Sequence, residues 1–102
     1  MKLGFISDTH GGYENTVQAL NLLEGCEQIC HIGDVLYHGP RNDIPETYNP
    51  KALADLLKVR NDIIYVRGNC DADVDEMVIE KDLSQKSRVV TCDHIRFYLV
   101  HG

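Results

Sequence analysis

Short apolar runs alternate with segments of helical periodicity along most of the chain, and each run closes in a polar string. Leu3 to Ile6 is the first run, ends at Ser7-Asp8, and reads as a buried strand. From Tyr13 to Glu24 the apolar positions recur at helical spacing. Val17, Leu20 and Leu23 share one face, with Ala19 and Leu22 beside it, and Gly25 supplies a C-terminal stop. Gln28 to Ile32 predicts a second strand, ending at Gly33-Asp34. The stretch from Val35 to Tyr48 holds two prolines, turn-forming Asn42 and Asp43 and little periodicity, so a loop is expected. Asn49-Pro50 has the form of an N-cap followed by proline at the first helical position. Leu53, Leu56 and Leu57 give that helix its apolar stripe, and Lys58 and Arg60 suit its negative C-terminal end. Ile63 to Val66 predicts a third strand before Gly68-Asn69. Arg88 to Thr91 and Ile95 to Val100 predict a hairpin turning through Cys92, Asp93 and His94.

The order is therefore β-α-β-α-β and then a hairpin, which places the chain in the α/β class with a parallel sheet and right-handed crossovers. In such sheets ligands bind beyond the carboxyl ends of the strands. Three polar strings fall at those ends: Asp8-Thr9-His10, Gly33-Asp34 and Gly68-Asn69. A fourth, His101-Gly102, follows the hairpin.

Composition narrows the setting. The chain has 102 residues, 43% hydrophobic and 25% charged, in keeping with one small domain of marginal stability. Its net charge of −6 speaks against loose binding to nucleic acid or an anionic membrane. The apolar start, Leu3 to Ile6, is too short for a signal peptide, and no stretch is long enough to span a membrane. Cys26, Cys30, Cys70 and Cys92 are then expected as free thiols in a reducing cytoplasm.

Alone, each polar string is an ordinary turn. Together they bring two carboxylates, two imidazoles and an amide to neighbouring strand ends, a ligand set for divalent metal of the kind used to hydrolyse phosphate esters. Asp8 and His10, one residue apart, can turn toward one cation. Asp34 has two oxygens and could bridge two cations about 3.5–4 Å apart. Gly33 is expected to let backbone and metal approach closely. Asn69 offers a neutral carbonyl oxygen that serves where charged neighbours do most of the binding. Asp71, Asp73 and Asp75 alternate like the start of a calcium loop, but Glu76 stands where that loop needs glycine, so a solvated acidic turn or a short helix start is expected. Cys26 and Cys30 lack a second pair for zinc. His31, inside an apolar strand, reads as a satisfied core histidine.

D-x-H, then G-D, then G-N, then H-G, each after a strand, resembles the calcineurin-like metallophosphoesterases. The strings from Gly33 to Asn42 and from Arg67 to Asp71 are similar to the small single-domain bacterial phosphodiesterases of that family. The resemblance implies the amino-terminal part of a metallophosphoesterase β-sandwich with flanking helices, and hydrolysis of phosphodiesters, or of monoesters, by a hydroxide held between two divalent ions, manganese foremost. Zinc, iron, magnesium and nickel are alternatives. It assigns Asp8 and His10 to the first ion, Asp34 to both, and Asn69 and His101 to the second. Asn69 and Cys70 would stand beside the reacting phosphate, with His38 and Arg41 reaching it from the loop. Many relatives have His where this chain has Cys70, which weakens general-acid catalysis; by itself Cys70 reads as a small, buried, inert thiol.

Family members continue to a G-H-x-H string that completes both metal shells, and this chain ends before it. Activity of the 102-residue chain is doubtful on that ground. The second reading is a non-catalytic scaffold of the same fold, or a non-functional fragment. The expected partners are a small phosphate-ester substrate and, through an uncovered sheet, a second copy of the chain.

Overall fold

A computed structural model describes residues 2–39, 44 and 47–102 of the chain. Strands β1 (Leu3–Ile6), β2 (Gln28–His31) and β3 (Ile63–Tyr65) pair in parallel in the order β1-β2-β3. Leu3 lies opposite Gln28 and Ile29 opposite Ile63, so all three strands deliver their carboxyl ends to one rim. Helix α1 (Tyr13–Leu22) joins β1 to β2, and α2 (Pro50–Lys58) precedes β3. The mixed α/β class read from the hydrophobic pattern is the one observed.

Alternation along the strands sorts the core into two layers. Ile29, Ile63 and Tyr65 face the helices and pack with Leu20, Leu53, Leu57, Ile79 and Leu83. Cys30 and Val66, one residue out of phase, face the other way and pack with Leu99. That second layer is built by the antiparallel hairpin of β4 (Ser87–Cys92) and β5 (Ile95–Val100). Val90 and Phe97, opposite one another, point into it, and the Phe97 ring lies 6.3 Å from that of Phe5. Asp93 and His94 both have positive φ, the backbone of a two-residue turn whose twist suits a hairpin.

Asn49 caps α2 as its sequence suggested: its side-chain oxygen accepts the Ala52 N–H at 3.1 Å. Two elements depart from expectation. Helix α1 ends at Leu22, not Glu24, and Gly25 makes a left-handed turn with φ +93 two residues past the cap. Leu22, placed beside the apolar face by spacing, is 86% exposed. An additional helix, α3 (Asp73–Ile79), stands between β3 and the hairpin. The acidic run thus starts a helix, and Asp75 accepts the Ala72 N–H at its head.

His31 is fully buried, as a core histidine should be, and its ring is satisfied on both sides. The Gly33 N–H donates to Nδ1 at 3.1 Å, so Nδ1 carries no hydrogen. Nε2–H then donates to Thr9 Oγ1 at 2.9 Å, and the Thr9 hydroxyl donates to the Val35 carbonyl at 2.8 Å. This chain of bonds ties the loop after β1 to the loop after β2. It also requires a neutral ring, since a proton on Nδ1 would oppose the Gly33 N–H.

Burial depresses the His31 pKa from 6.5 to about 4, against a partial offset from the charges of Asp71 and Asp8. Between those two values the unfolded chain binds more protons than the folded one, so folding stability falls as pH drops through that window. Urea unfolding followed from pH 7 to pH 4 should lose up to about 3 kcal/mol by this route. The variant His31→Gln should flatten the slope; an unchanged slope in that variant would assign the loss to other groups.

Candidate metal centre

Three loops meet at the carboxyl rim. Main-chain bonds zip the first to the second: Asp8 N–H to the Gly33 carbonyl at 2.9 Å, His10 N–H to that of Asp34 at 3.0 Å, and Gly11 N–H to that of Val35 at 2.9 Å. The register leaves little freedom. Asp8, His10 and Asp34 have φ values of +55, +45 and +59, backbone that side-chain-bearing residues adopt at a cost of roughly 1–3 kcal/mol each.

Asp34 lies at the centre, with a side chain 7% exposed. One oxygen, Oδ1, accepts the Cys70 N–H at 2.8 Å. The other, Oδ2, has His101 Nε2 at 3.3 Å and His10 Nε2 at 3.7 Å. Asp8 sits at the mouth, its side chain 51% exposed and its Oδ1 3.3 Å from His10 Nε2. Among the described residues, two groups could hold a metal ion: Asp8, Asp34 and His101, and His10, Asp34 and Cys70. Asp34 is common to both.

The outer ring nitrogens fix the histidines. His10 Nδ1 meets the Tyr37 carbonyl at 2.9 Å, and His101 Nδ1 meets the Ile32 carbonyl at 2.6 Å. A carbonyl only accepts, so each Nδ1 carries a hydrogen. In a neutral ring the Nε2 lone pair then faces carboxylate oxygen, an opposition that a cation between them or a second ring proton relieves, and imidazoles anchored to backbone in this way are common metal donors. Partial burial works against ionised Asp8, but the Ser7 hydroxyl, which donates to it, and the nearby His101 and His10 outweigh that and hold its pKa below the ordinary value. The donor set therefore fits divalent metal. A cavity of about 340 Å³ opens beside Asp8 and His10, with Ser7, Asn15 and Thr16 in its walls.

Gly33 and Gly68 make the crossing of the second and third loops. A Cβ on Gly33 would come within 2.6 Å of the Gly68 backbone, and one on Gly68 would strike the Asp34 carboxylate and main chain. The missing side chain at Gly33 thus admits the neighbouring loop and His101, and the close approach expected there between backbone and metal is taken up by protein.

Not every expected residue joins this centre. Asn69 is exposed, between Gly68 and Cys70, both of which touch Asp34. Cys70 is only partly buried, short of the fully buried thiol expected, and belongs to one of the donor groups. Burial, then the charges of Asp34, Asp71 and Asp8, push its pKa up, which keeps it protonated and unsuited to nucleophilic attack. The His38 ring lies against those of Tyr37, 4.9 Å away, and Tyr48, 5.4 Å away, and is in neither donor group. Arg41 lies outside the described residues.

One residue of the site was passed over in the sequence reading. Asp71 was grouped with a solvated acidic run, yet it is 9% exposed and accepts three main-chain N–H groups: Asp34 at 2.8 Å, Val35 at 2.8 Å and Gly68 at 2.7 Å. The available signal was an aspartate three residues after a strand-end glycine, the spacing at which a carboxylate reaches back to a main-chain N–H.

Both the sequence and the fold have counterparts among known proteins. The family model described as calcineurin-like phosphoesterase superfamily domain matches residues 1–102. Phosphodiesterase YfcE of Escherichia coli K12 is 41% identical over 105 aligned positions, covering all of this chain and 57% of the relative; YfcE of the O157:H7 strain matches equally. A solved structure of YfcE, a phosphoesterase from E. coli, superposes with a TM-score of 0.94 at 40% identity, covering the whole chain and 58% of that structure. The chain thus spans a little over half the length of these relatives.

The two crossing glycines should be far less replaceable than a glycine that merely turns. Gly25→Ala, at φ +93 in open space, should cost about 1–2 kcal/mol of unfolding free energy. Gly33→Ala, at φ +104 with the Gly68 backbone in the way, should cost more than about 3 kcal/mol, as strain and overlap combine. Equal losses in thermal or urea unfolding would contradict the close crossing.

Proposed function

Because this chain belongs to the calcineurin-like phosphoesterase superfamily, we propose that its rim holds divalent cations, manganese foremost, and serves the hydrolysis of phosphodiesters. One observation carries this reading: two imidazoles, each tied at Nδ1 to a carbonyl, aim Nε2 at the same buried carboxylate oxygen.

Asp8, Asp34 and His101 would supply one set of donors and His10, Asp34 and Cys70 the other, with Asp34 common to both; Asn69, exposed at the rim, is the further ligand that the family resemblance implies. Bound cations supply Lewis-acid charge to the phosphate oxygens and acidify the attacking water. The protein contributes placement. The carbonyls of Tyr37 and Ile32 orient the two rings. The Cys70 N–H fixes one Asp34 oxygen and leaves the other free for ligation. Water forms the new P–O bond as the ester P–O bond breaks, so no covalent enzyme intermediate is needed. With Cys70 where many relatives have histidine, the site lacks an imidazole to protonate the departing alkoxide, which favours diesters with good leaving groups. His38 and Arg41, on the loop that follows Asp34, are the proposed phosphate contacts. No helix among the described residues is long and apolar enough to cross a membrane, and the four cysteines are free, which supports placing the protein in the cytoplasm.

The scaffold reading draws on a different observation. Val89, Tyr98 and Val100 lie on the outward face of the hairpin, 54%, 72% and 49% exposed. A self-associating chain would bury them against a second copy. Size-exclusion chromatography with light scattering should then show a species above monomer mass, and a sharp monomer peak at all concentrations would dismiss this reading.

For the catalytic reading, the purified chain should cleave bis(4-nitrophenyl) phosphate with manganese and lose that activity to chelator. Asp34→Asn should lower the rate by more than about 100-fold, since even outer-shell partners of a metal ligand cost 10–100-fold. No activity with any divalent metal, set beside activity of a polypeptide spanning the full length of the relatives, would exclude catalysis by this chain alone.

A further inference from the structure

We propose that Asp71 is a positioning residue for the metal centre: it sets metal affinity by holding the main chain that carries Asp34, without ligating metal itself. The inference rests on the metal-binding reading given above and concerns a residue outside both candidate donor groups.

The geometry is reciprocal. Asp71 Oδ2 accepts from Asp34 N–H at 2.8 Å and from Gly68 N–H at 2.7 Å, and Asp71 Oδ1 accepts from Val35 N–H at 2.8 Å. In return, Asp34 Oδ1 accepts the Cys70 N–H, from the residue just before Asp71. Two aspartates on different loops therefore each grip the backbone of the other's loop. The grip acts where the two glycines cross with no room for a Cβ, and it holds Asp34 at φ +59, a conformation that does not persist unless its surroundings impose it. Releasing the Asp34 and Val35 N–H groups frees Asp34 to relax toward ordinary backbone, which would swing its Oδ2 away from the Nε2 atoms of His10 and His101.

The two aspartates are distinguished by what faces them. Asp71 meets main-chain N–H donors on both oxygens, which fills its role with protein. Asp34 meets one donor on Oδ1 and ring nitrogens on Oδ2, which leaves that oxygen for a cation. The neighbouring acidic residues have other work: Asp73 pairs with Arg67 at 2.8 Å, and Asp75 caps α3.

Replacement separates the role from plain stability. Asp71→Asn keeps one acceptor oxygen and sets an amide against N–H groups where the other oxygen was; Asp71→Ala removes all three bonds. Manganese(II) alone would be titrated into the full chain and followed by calorimetry and by the electron paramagnetic resonance of free manganese, at a temperature where circular dichroism shows each protein folded. Asp62→Ala, which loses the Arg60 ion pair at the opposite end of β3, is the control for a stability loss far from the rim. The expected result is about 10-fold weaker manganese binding for Asp71→Asn and about 100-fold for Asp71→Ala, with the control unchanged. Wild-type affinity in both folded Asp71 variants overturns the proposal, and so does equal weakening in the control. Failure of the wild-type chain to bind manganese overturns the metal-binding reading itself, and is told apart by that. Should Asp71→Ala not fold, Asp71→Asn alone carries the comparison.

Discussion

A carboxylate withdrawn from water must be met by donors or by cations, and the geometry of the whole rim follows from how that demand is satisfied at Asp34. Its Oδ1 is satisfied by the Cys70 N–H; its Oδ2 faces the Nε2 atoms of His10 and His101, whose Nδ1 atoms are held by carbonyls. Everything nearby serves to bring that oxygen to that place. The loops after β1 and β2 are bonded to one another along the main chain, and the loops after β2 and β3 cross through two glycines. The parallel sheet underneath brings three strand ends to one side, the part of such folds where ligands gather.

The site is costly to the fold that carries it. Three of its side chains stand on left-handed backbone, and two buried aspartates are each hydrogen-bonded to the main chain of the other's loop. A small protein can sustain this because the adjacent layers are well packed. Leu53, Leu57, Ile79 and Leu83 are fully buried on the helix side, and Leu99 closes the hairpin side. His31 links core and site: its ring lies among the buried side chains while its two nitrogens reach the loops after β1 and β2. The same connection makes the rim sensitive to acid, since the ring that ties the loops must stay neutral to do so.

The calcineurin-like fold gives this chain its donors, and Cys70 stands in a candidate donor group with His10 and Asp34. The outward face of β4 and β5 presents Val89, Tyr98 and Val100 to solvent, while the inward face of the same strands packs with Cys30 and Val66. One hairpin therefore has an occupied apolar face and an open one.

Much of this was legible in the chain. Alternation and helical spacing foretold the order of strands and helices as far as β3, the N-cap at Asn49, the hairpin turn and the core role of His31, because those depend on neighbours a few residues away. The polar strings after β1 and β2 brought Asp8, His10 and Asp34 to one place, because a parallel sheet sends those strand ends to the same rim. Alternation alone did not tell Asp71 from Asp73 and Asp75, three aspartates with three different fates; the spacing from Gly68 is what sets Asp71 apart. Local pattern could not show that Gly33 makes room for Gly68, or which nitrogen of each histidine carries the hydrogen. Those outcomes depend on groups 27 or more residues apart meeting within a few ångströms, and only the packed register of the sheet and its loops decides which groups meet.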